Sequence, residues 1–164
     1  MKPQNSRRVF LKTSFLSSAV VVLGGCSSFN IVTLKDTIAV VQSDLFPKAE
    51  ELNINTVDYI NIIIRHSRIT KEDKDFLRDG VKWLNEEAIA LHERTYIKLQ
   101  EEERQNILAL ISQEAWGESW IHTMMTYIFE AMLGDPIYGS NIDEAGWNWL
   151  SFQGGLPSPK KAFL

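Results

Sequence analysis

Residues 119–133, SWIHTMMTYIFEAML, run straight into residues 134–155, GDPIYGSNIDEAGWNWLSFQGG, and the change of pattern between them decides how the chain folds. In the first stretch Ile121, Met124, Met125, Ile128, Phe129 and Met132 recur at helical steps, so one buried helix face is predicted. Gly134 sits where a C′ glycine stops such a helix. The second stretch holds five of the chain's nine glycines, alternating with Tyr138, Trp147, Trp149 and Phe152. That mixture suits neither a helix nor a solvated linker. Glycine supplies positive φ and close backbone approach, Asp135, Asn141 and Asp143 favour side-chain-to-backbone turns, and the aromatic rings need a surface to lie on. A long ordered Gly/aromatic loop is expected from residue 134.

Upstream, the same period recurs. Leu34, Ile38, Val41 and Leu45 share a face in a run ended by Pro47. Asn55 or Thr56 caps a second helix with Val57, Ile60, Ile63 and Ile64, which ends near His66. Thr70 through Asp73 reads as a capping-box start to a long helix with Phe76, Leu77, Trp83, Leu84, Ala88 and Leu91 inward. Gly80 inside it costs about 1 kcal/mol relative to Ala and marks a candidate close helix contact. A fourth helix, residues 100–114, opens on Glu101, Glu102 and Glu103 at its positive end and buries Ile107, Leu108 and Ile111. Trp116-Gly117 breaks the pattern before the fifth. The expected architecture is all-α, a compact bundle of about five helices followed by the loop, with one domain over residues 36–164.

The N-terminus reads differently. Ser6-Arg7-Arg8-Val9-Phe10-Leu11-Lys12 resembles the twin-arginine export consensus, and thirteen uncharged residues, 13–25, come after it. A membrane-spanning helix needs about 20 apolar residues, so this length suits a signal peptide instead. Leu23-Gly24-Gly25-Cys26 resembles a lipobox, with Cys26 as the acylated residue. Residues 1–25 are thus expected to be an export signal with Arg7 and Arg8 at its centre, and residues 26–35 a lipidated tether. Setting aside residues 1–25, which hold four basic and no acidic side chains, leaves 13 basic against 21 acidic, a net charge of −8. Such an acidic body argues against nucleic acid as a partner. One cysteine excludes an intrachain disulfide, a thiolate-ligated iron–sulfur cluster and a CxxCH haem attachment.

No residue set points to catalysis, cofactor binding or a metal. His66, His92 and His122 lack an HxxxH partner. Glu118 and His122 are four apart on one helix, which reads as a surface pair, since carboxylate-bridged iron sites use two Glu-x-x-His motifs and two further glutamates. There is no Gly-x-Ser-x-Gly elbow, and the loop glycines come after a helix rather than a strand, unlike a dinucleotide fingerprint. The loop itself carries two readings: a cover for its own bundle, or a docking surface, because Trp and Tyr are enriched among interface anchors. Both hold together if Tyr138 and Trp147 pack inward while Trp149 and Phe152 face outward.

Asp135-Pro136-x-Tyr138-Gly139-x-Asn141-x-Asp143-x-x-Gly146-Trp147 resembles the C-terminal signature of the gluconate 2-dehydrogenase subunit 3 family. Leu45-Phe46-Pro47, then residues 49–54 (AEELNI) and 57–60 (VDYI), resemble its opening segment, so the likeness covers most of residues 36–155. The chain departs from the pattern at Ser140, where the family has a second Gly, and at Ser151-Phe152-Gln153-Gly154 in place of a Gly-Phe/Tyr-Pro-Gly run. The resemblance implies a non-catalytic small subunit of a periplasmic FAD-dependent dehydrogenase of the glucose–methanol–choline type, oxidising a sugar, sugar acid or alcohol. It implies help with export and maturation of the catalytic subunit, and in some complexes a multihaem cytochrome c as a third subunit. FAD and haem c would then reside in the partners and no cofactor in this chain. Asp135, Pro136, Tyr138, Gly139, Asn141, Asp143, Gly146, Trp147, Trp149 and Phe152 are the expected partner-binding set. The alternative is a free-standing periplasmic lipoprotein that binds a ligand or envelope component.

If Cys26 is the acylated residue, Cys26→Ser abolishes incorporation of a labelled fatty acid while the purified protein keeps its helical circular dichroism. Equal labelling of mutant and wild type would overturn the assignment.

Overall fold

The computed structural model describes residues 34–162, and every regular element among them is helical. In chain order the α-helices are α1 (Leu34–Leu45), α2 (Pro47–Glu51), α3 (Thr56–Arg65), α4 (Lys71–His92), α5 (Glu101–Ile111), α6 (Ala115–Leu133) and α7 (Ala145–Trp149). Short 3-10 turns occupy Tyr96–Lys98, Pro136–Tyr138 and Ile142–Glu144. The all-α expectation holds, but the described residues carry seven α-helices rather than about five. The additions, α2 and α7, have five residues each, too few to display a helical period. Pro47 both ends α1 and opens α2, since the first helical position has no hydrogen bond for its missing N–H to lose. α1 also takes in residues 34 and 35, expected to belong to the tether.

The helix starts are set by side chains close in sequence. Asn55 caps α3 by accepting the Asp58 amide at 3.0 Å, and its own amide reaches the Asp58 carboxylate at 2.7 Å. Thr70 Oγ1 accepts the Asp73 amide at 3.1 Å. The Gln100 amide donates to Glu103 at 2.8 Å, and this bond first, then Arg94, holds the Glu103 carboxyl below its usual range. The expected break at Trp116-Gly117 is a correction: both residues lie inside α6, and the interruption falls at residues 112–114. Gly117 is there for contact rather than for a break. A Cβ on it would sit 2.1 Å from the Ile111 carbonyl oxygen.

α4 and α6 cross at Gly80. The Trp120 indole is fully buried over that glycine, and a methyl group on Gly80 would lie 2.0 Å from its ring. Trp120 Nε1 donates to the Leu77 carbonyl at 3.3 Å. Trp83 and Trp116 extend the same seam edge-on, with ring centroids 5.2 Å apart. Around this crossing lies the larger core, with Ile38 and Val41 from α1, Ile60 from α3 and Ile107 from α5. Ala49, Ile54, Ile128, Ala131 and Met132 form a smaller second core towards the C-terminal end of α6.

One buried ion pair ties the remaining elements together. The Asp44 side chain, 2 % exposed, takes a fork of two bonds from Arg104, Nε to Oδ2 at 2.7 Å and Nη2 to Oδ1 at 2.9 Å. The Tyr96 hydroxyl donates to the same carboxylate at 2.7 Å. Burial, then that bond, pushes the Tyr96 phenol far above its usual range, while Asp44 raises the Arg104 guanidinium.

Three expectations about side-chain direction and backbone need correcting. Leu91 is 57 % and Phe129 36 % exposed, although the helical period places both inward. Tyr96 and Leu99, from the turn after α4, are buried in the larger core with Ala88, while Leu91 faces solvent. On α6 the buried line runs Gly117, Trp120, Met124, Ile128 and Ala131, so Phe129 lies beside it. A stripe that begins at Ile121 leaves Trp120 out and turns the face. Gly134 is extended (φ −63°, ψ 162°) rather than left-handed. It is needed because a Cβ would meet the Glu130 carbonyl oxygen at 2.7 Å.

Gly80→Ala gains about 1 kcal/mol of helix propensity but overpacks the Trp120 ring, which costs about 1–3 kcal/mol. Net destabilisation in urea unfolding is expected; stabilisation would show that α4 and α6 do not meet there. Arg104→Met leaves the Asp44 carboxylate buried without its cation and should cost about 3–5 kcal/mol by the same measurement.

Candidate docking surface

The stretch after α6 is a chain of short turns rather than one long loop. It turns because Asp135 precedes a proline, which disfavours the helical backbone. The Asp135 carboxylate accepts the Ile137 amide at 3.0 Å, starting the first 3-10 turn. Gly139 closes that turn with φ +80°, a conformation that suits glycine. Asn141 is fully buried and bridges the segment: its Nδ2 donates to the Gly134 carbonyl at 3.0 Å and its Oδ1 accepts the Gly146 amide at 2.8 Å. Gly146 lies so close to α6 that a Cβ would meet the Met132 carbonyl oxygen at 1.9 Å. The Trp147 indole donates to the Leu133 carbonyl at 2.7 Å. Ser140 is buried with no positive φ, and its carbonyl accepts the Asn55 amide at 3.3 Å.

The expected partner-binding residues therefore divide in two. Asp135, Asn141, Gly146 and Trp147 fasten the turns to α6 and to each other. Pro136 and Gly139 shape the first turn, and exposed Asp143 takes a left-handed backbone (φ 54°) whose carbonyl Asn148 bonds at 3.1 Å. Trp149 and Phe152 face outward, 43 % and 55 % exposed, while Tyr138 is half-buried. Phe152 lies edge-on to Trp147 at 5.6 Å, and Trp149 edge-on to Phe46 at 6.1 Å. Phe46 in turn meets Phe129 at 5.0 Å. An exposed aromatic face thus runs from α6 across α1–α2 to α7.

Beside this face lies a groove between α3, α6 and the first turn. A hollow of about 570 Å³ is lined by Tyr59, Thr126, Phe129, Glu130, Leu133 and Tyr138, with Gly134 at its edge. A second, of about 320 Å³, shares Tyr59 and Tyr138 and runs on to Ile62, Ile63, His66, Arg68 and Ile69. The Tyr59 hydroxyl donates to Glu130 Oε2 at 3.0 Å. Burial first, then the Glu130 charge, pushes the Tyr59 phenol well above its usual range, so it remains a donor.

Sequence reasoning missed Tyr59, Glu130, Phe129 and Leu133. Phe129 and Leu133 are four apart on one helix, a usable signal once Trp120 is placed inward. Nothing in the sequence joins Tyr59 to Glu130. Glu118 and His122 are both exposed and form no ion pair among the described residues. Arg7, Arg8, Cys26 and the expected export and tether segments up to residue 33 lie outside the described residues. Among the described residues no group of three or more His, Cys, Asp or Glu could hold a metal ion, and no helix is long and apolar enough to cross a membrane.

Residues 34–155 match the protein family described as gluconate 2-dehydrogenase subunit 3. No curated protein and no solved structure matches the chain. The family match spans all seven helices and both turns of the aromatic face. The chain belongs to the gluconate 2-dehydrogenase subunit 3 family, and is a non-catalytic accessory subunit.

Proposed function

We propose that this chain is the small subunit of a periplasmic, FAD-dependent dehydrogenase of the glucose–methanol–choline type that oxidises a sugar, sugar acid or alcohol. In this reading it assists export, maturation and membrane attachment of the catalytic subunit. FAD belongs to that partner, and haem c to a multihaem cytochrome where the complex includes one. The observation that carries the reading is the Arg7-Arg8 motif on a member of an accessory-subunit family. Twin-arginine export moves proteins already folded, which a flavoprotein requires if its cofactor is inserted in the cytoplasm. Such a signal on an accessory chain makes sense when a folded partner travels with it. Cys26, carrying lipid, would then hold the complex at a membrane.

The partner surface in this reading is the exposed aromatic face. Trp149, Phe152 and Tyr138 offer large rigid side chains of the type that anchor interfaces. The buried Asn141 and Gly146 hold them in place from beneath, supporting a preorganised surface rather than a loop ordered on binding.

Arg7→Lys with Arg8→Lys keeps the charge but changes the hydrogen-bonding geometry, and is expected to block export of this chain and its partner together. Normal periplasmic levels of the catalytic chain in that mutant would show that it is no passenger.

Trp149→Ala removes a half-exposed ring and one edge contact, so it should cost about 1 kcal/mol of domain stability. As an interface anchor it should cost at least about 2 kcal/mol of binding, roughly thirtyfold in affinity. Thermal melting of the free chain and co-purification of the flavoprotein measure the two. A large loss of melting temperature with co-purification intact would make the face a lid on its own core.

A further inference from the structure

The groove beside the aromatic face has a charge that the fold leaves unanswered. In its larger hollow the lining is aromatic and aliphatic except for Thr126 and one charged residue, Glu130. Among the described residues no lysine, arginine or histidine nitrogen lies within 4.0 Å of that carboxylate. Glu130 also stands in the last turn of α6, the negative end of a 19-residue helix, where a cation is favoured and an anion is not. Among the described residues its carboxylate accepts one hydrogen bond, from the Tyr59 hydroxyl on Oε2. Tyr59 and Tyr127 add electron-rich rings within electrostatic reach of Glu130, and both phenols are held protonated by burial and by Glu130. The cationic side chain lining the groove, Arg68, belongs to the smaller hollow beyond Tyr59 and Tyr138.

We propose that this groove receives a basic side chain, an arginine or lysine, that projects from an apolar segment of the catalytic partner. The Glu130 carboxylate takes the cation through its free oxygen, and the tyrosine walls add the attraction of aromatic rings for cations. Phe129 and Leu133, 36 % and 38 % exposed, cover the apolar residues on either side. The segment lies with its basic residue towards Glu130, because the other end of the groove is already positive at Arg68. The net charge of −8 over residues 26–164 steers a basic partner surface towards this chain. The inference rests on the accessory-subunit reading and adds to it the chemistry of the contact.

The test uses the full chain, tagged and extracted with detergent from its native host, and reads flavin absorbance of a co-eluting larger chain per mole of tagged protein. Glu130→Lys is expected to lower that flavin about thirtyfold or more, and Glu130→Gln several-fold, since Gln keeps an acceptor for Tyr59. Glu102→Lys, an exposed reversal on α5 outside the groove, makes the same change in net charge and should leave the flavin within about twofold. Glu130 is exposed, so all three variants should keep the wild-type helical spectrum. Undiminished flavin with Glu130→Lys overturns the proposal, as does an equal loss with Glu102→Lys, which would reduce the effect to net charge. A changed oligomeric state of Glu130→Lys with undiminished flavin would give the groove to a second copy of this chain. If the wild type itself brings down no flavoprotein, the accessory-subunit reading fails, and this proposal with it.

Discussion

Trp120 seated on Gly80 is the contact from which the rest of the architecture takes its position. A tryptophan ring can be buried against a helix backbone only if the opposing residue has no side chain, so the two helices are locked at that point along both axes. α6 then organises both cores and the C-terminal turns. Its first half closes the larger core, and its second half supplies Ile128, Ala131 and Met132 to the smaller one. The turns rest on α6 directly, Gly146 against the Met132 carbonyl and Trp147 on that of Leu133. Sliding α6 by one turn would move the exposed aromatic face with it.

The Asp44–Arg104–Tyr96 cluster is a second pin of a different kind. It joins residues 52 and 60 positions apart in sequence, between α1, the turn after α4, and α5. Buried ion pairs contribute little net stability because desolvation offsets the attraction. What this one supplies is registration: the two-pronged guanidinium fits the carboxylate in one orientation. The apolar contacts between α1 and α5 could accommodate small shifts that this fork does not.

The long helices were legible because their signals are local. The caps at Asn55 and Thr70 and the Gln100–Glu103 bond act across three residues, and the apolar period repeats within each helix. What escaped depends on packing between distant segments. Trp116-Gly117 has the composition of a break, and only the approach of Ile111 shows why a glycine belongs within that helix. Phe129 fits the apolar period equally well on either side of the buried line until Trp120 fixes the rotation. α2 and α7 are too short for any period. On the candidate surface, the aromatic turn was visible from composition, but its division into fastening and outward residues was only partly so. Tyr138, expected inward, is half-buried and lines the groove. The groove was not visible at all, since its central hydrogen bond joins residues 71 positions apart.

The smaller core gives the outward face a place in the order of folding. It draws Ala49 and Ile54 from the first part of the described chain and Ile128, Ala131 and Met132 from the last long helix, and the turns are fastened beside it through Ser140, residues 141–147 and Trp149. Long-range contacts of this kind form late, because closing the intervening chain must precede them. A chain clipped or stalled before Gly146 would retain Trp120, Gly80 and the larger core, yet lack the seat on which Trp149 and Phe152 are presented. The aromatic face is thus a marker of a finished molecule. A partner that reads it discriminates complete subunits from truncated ones without any separate checkpoint.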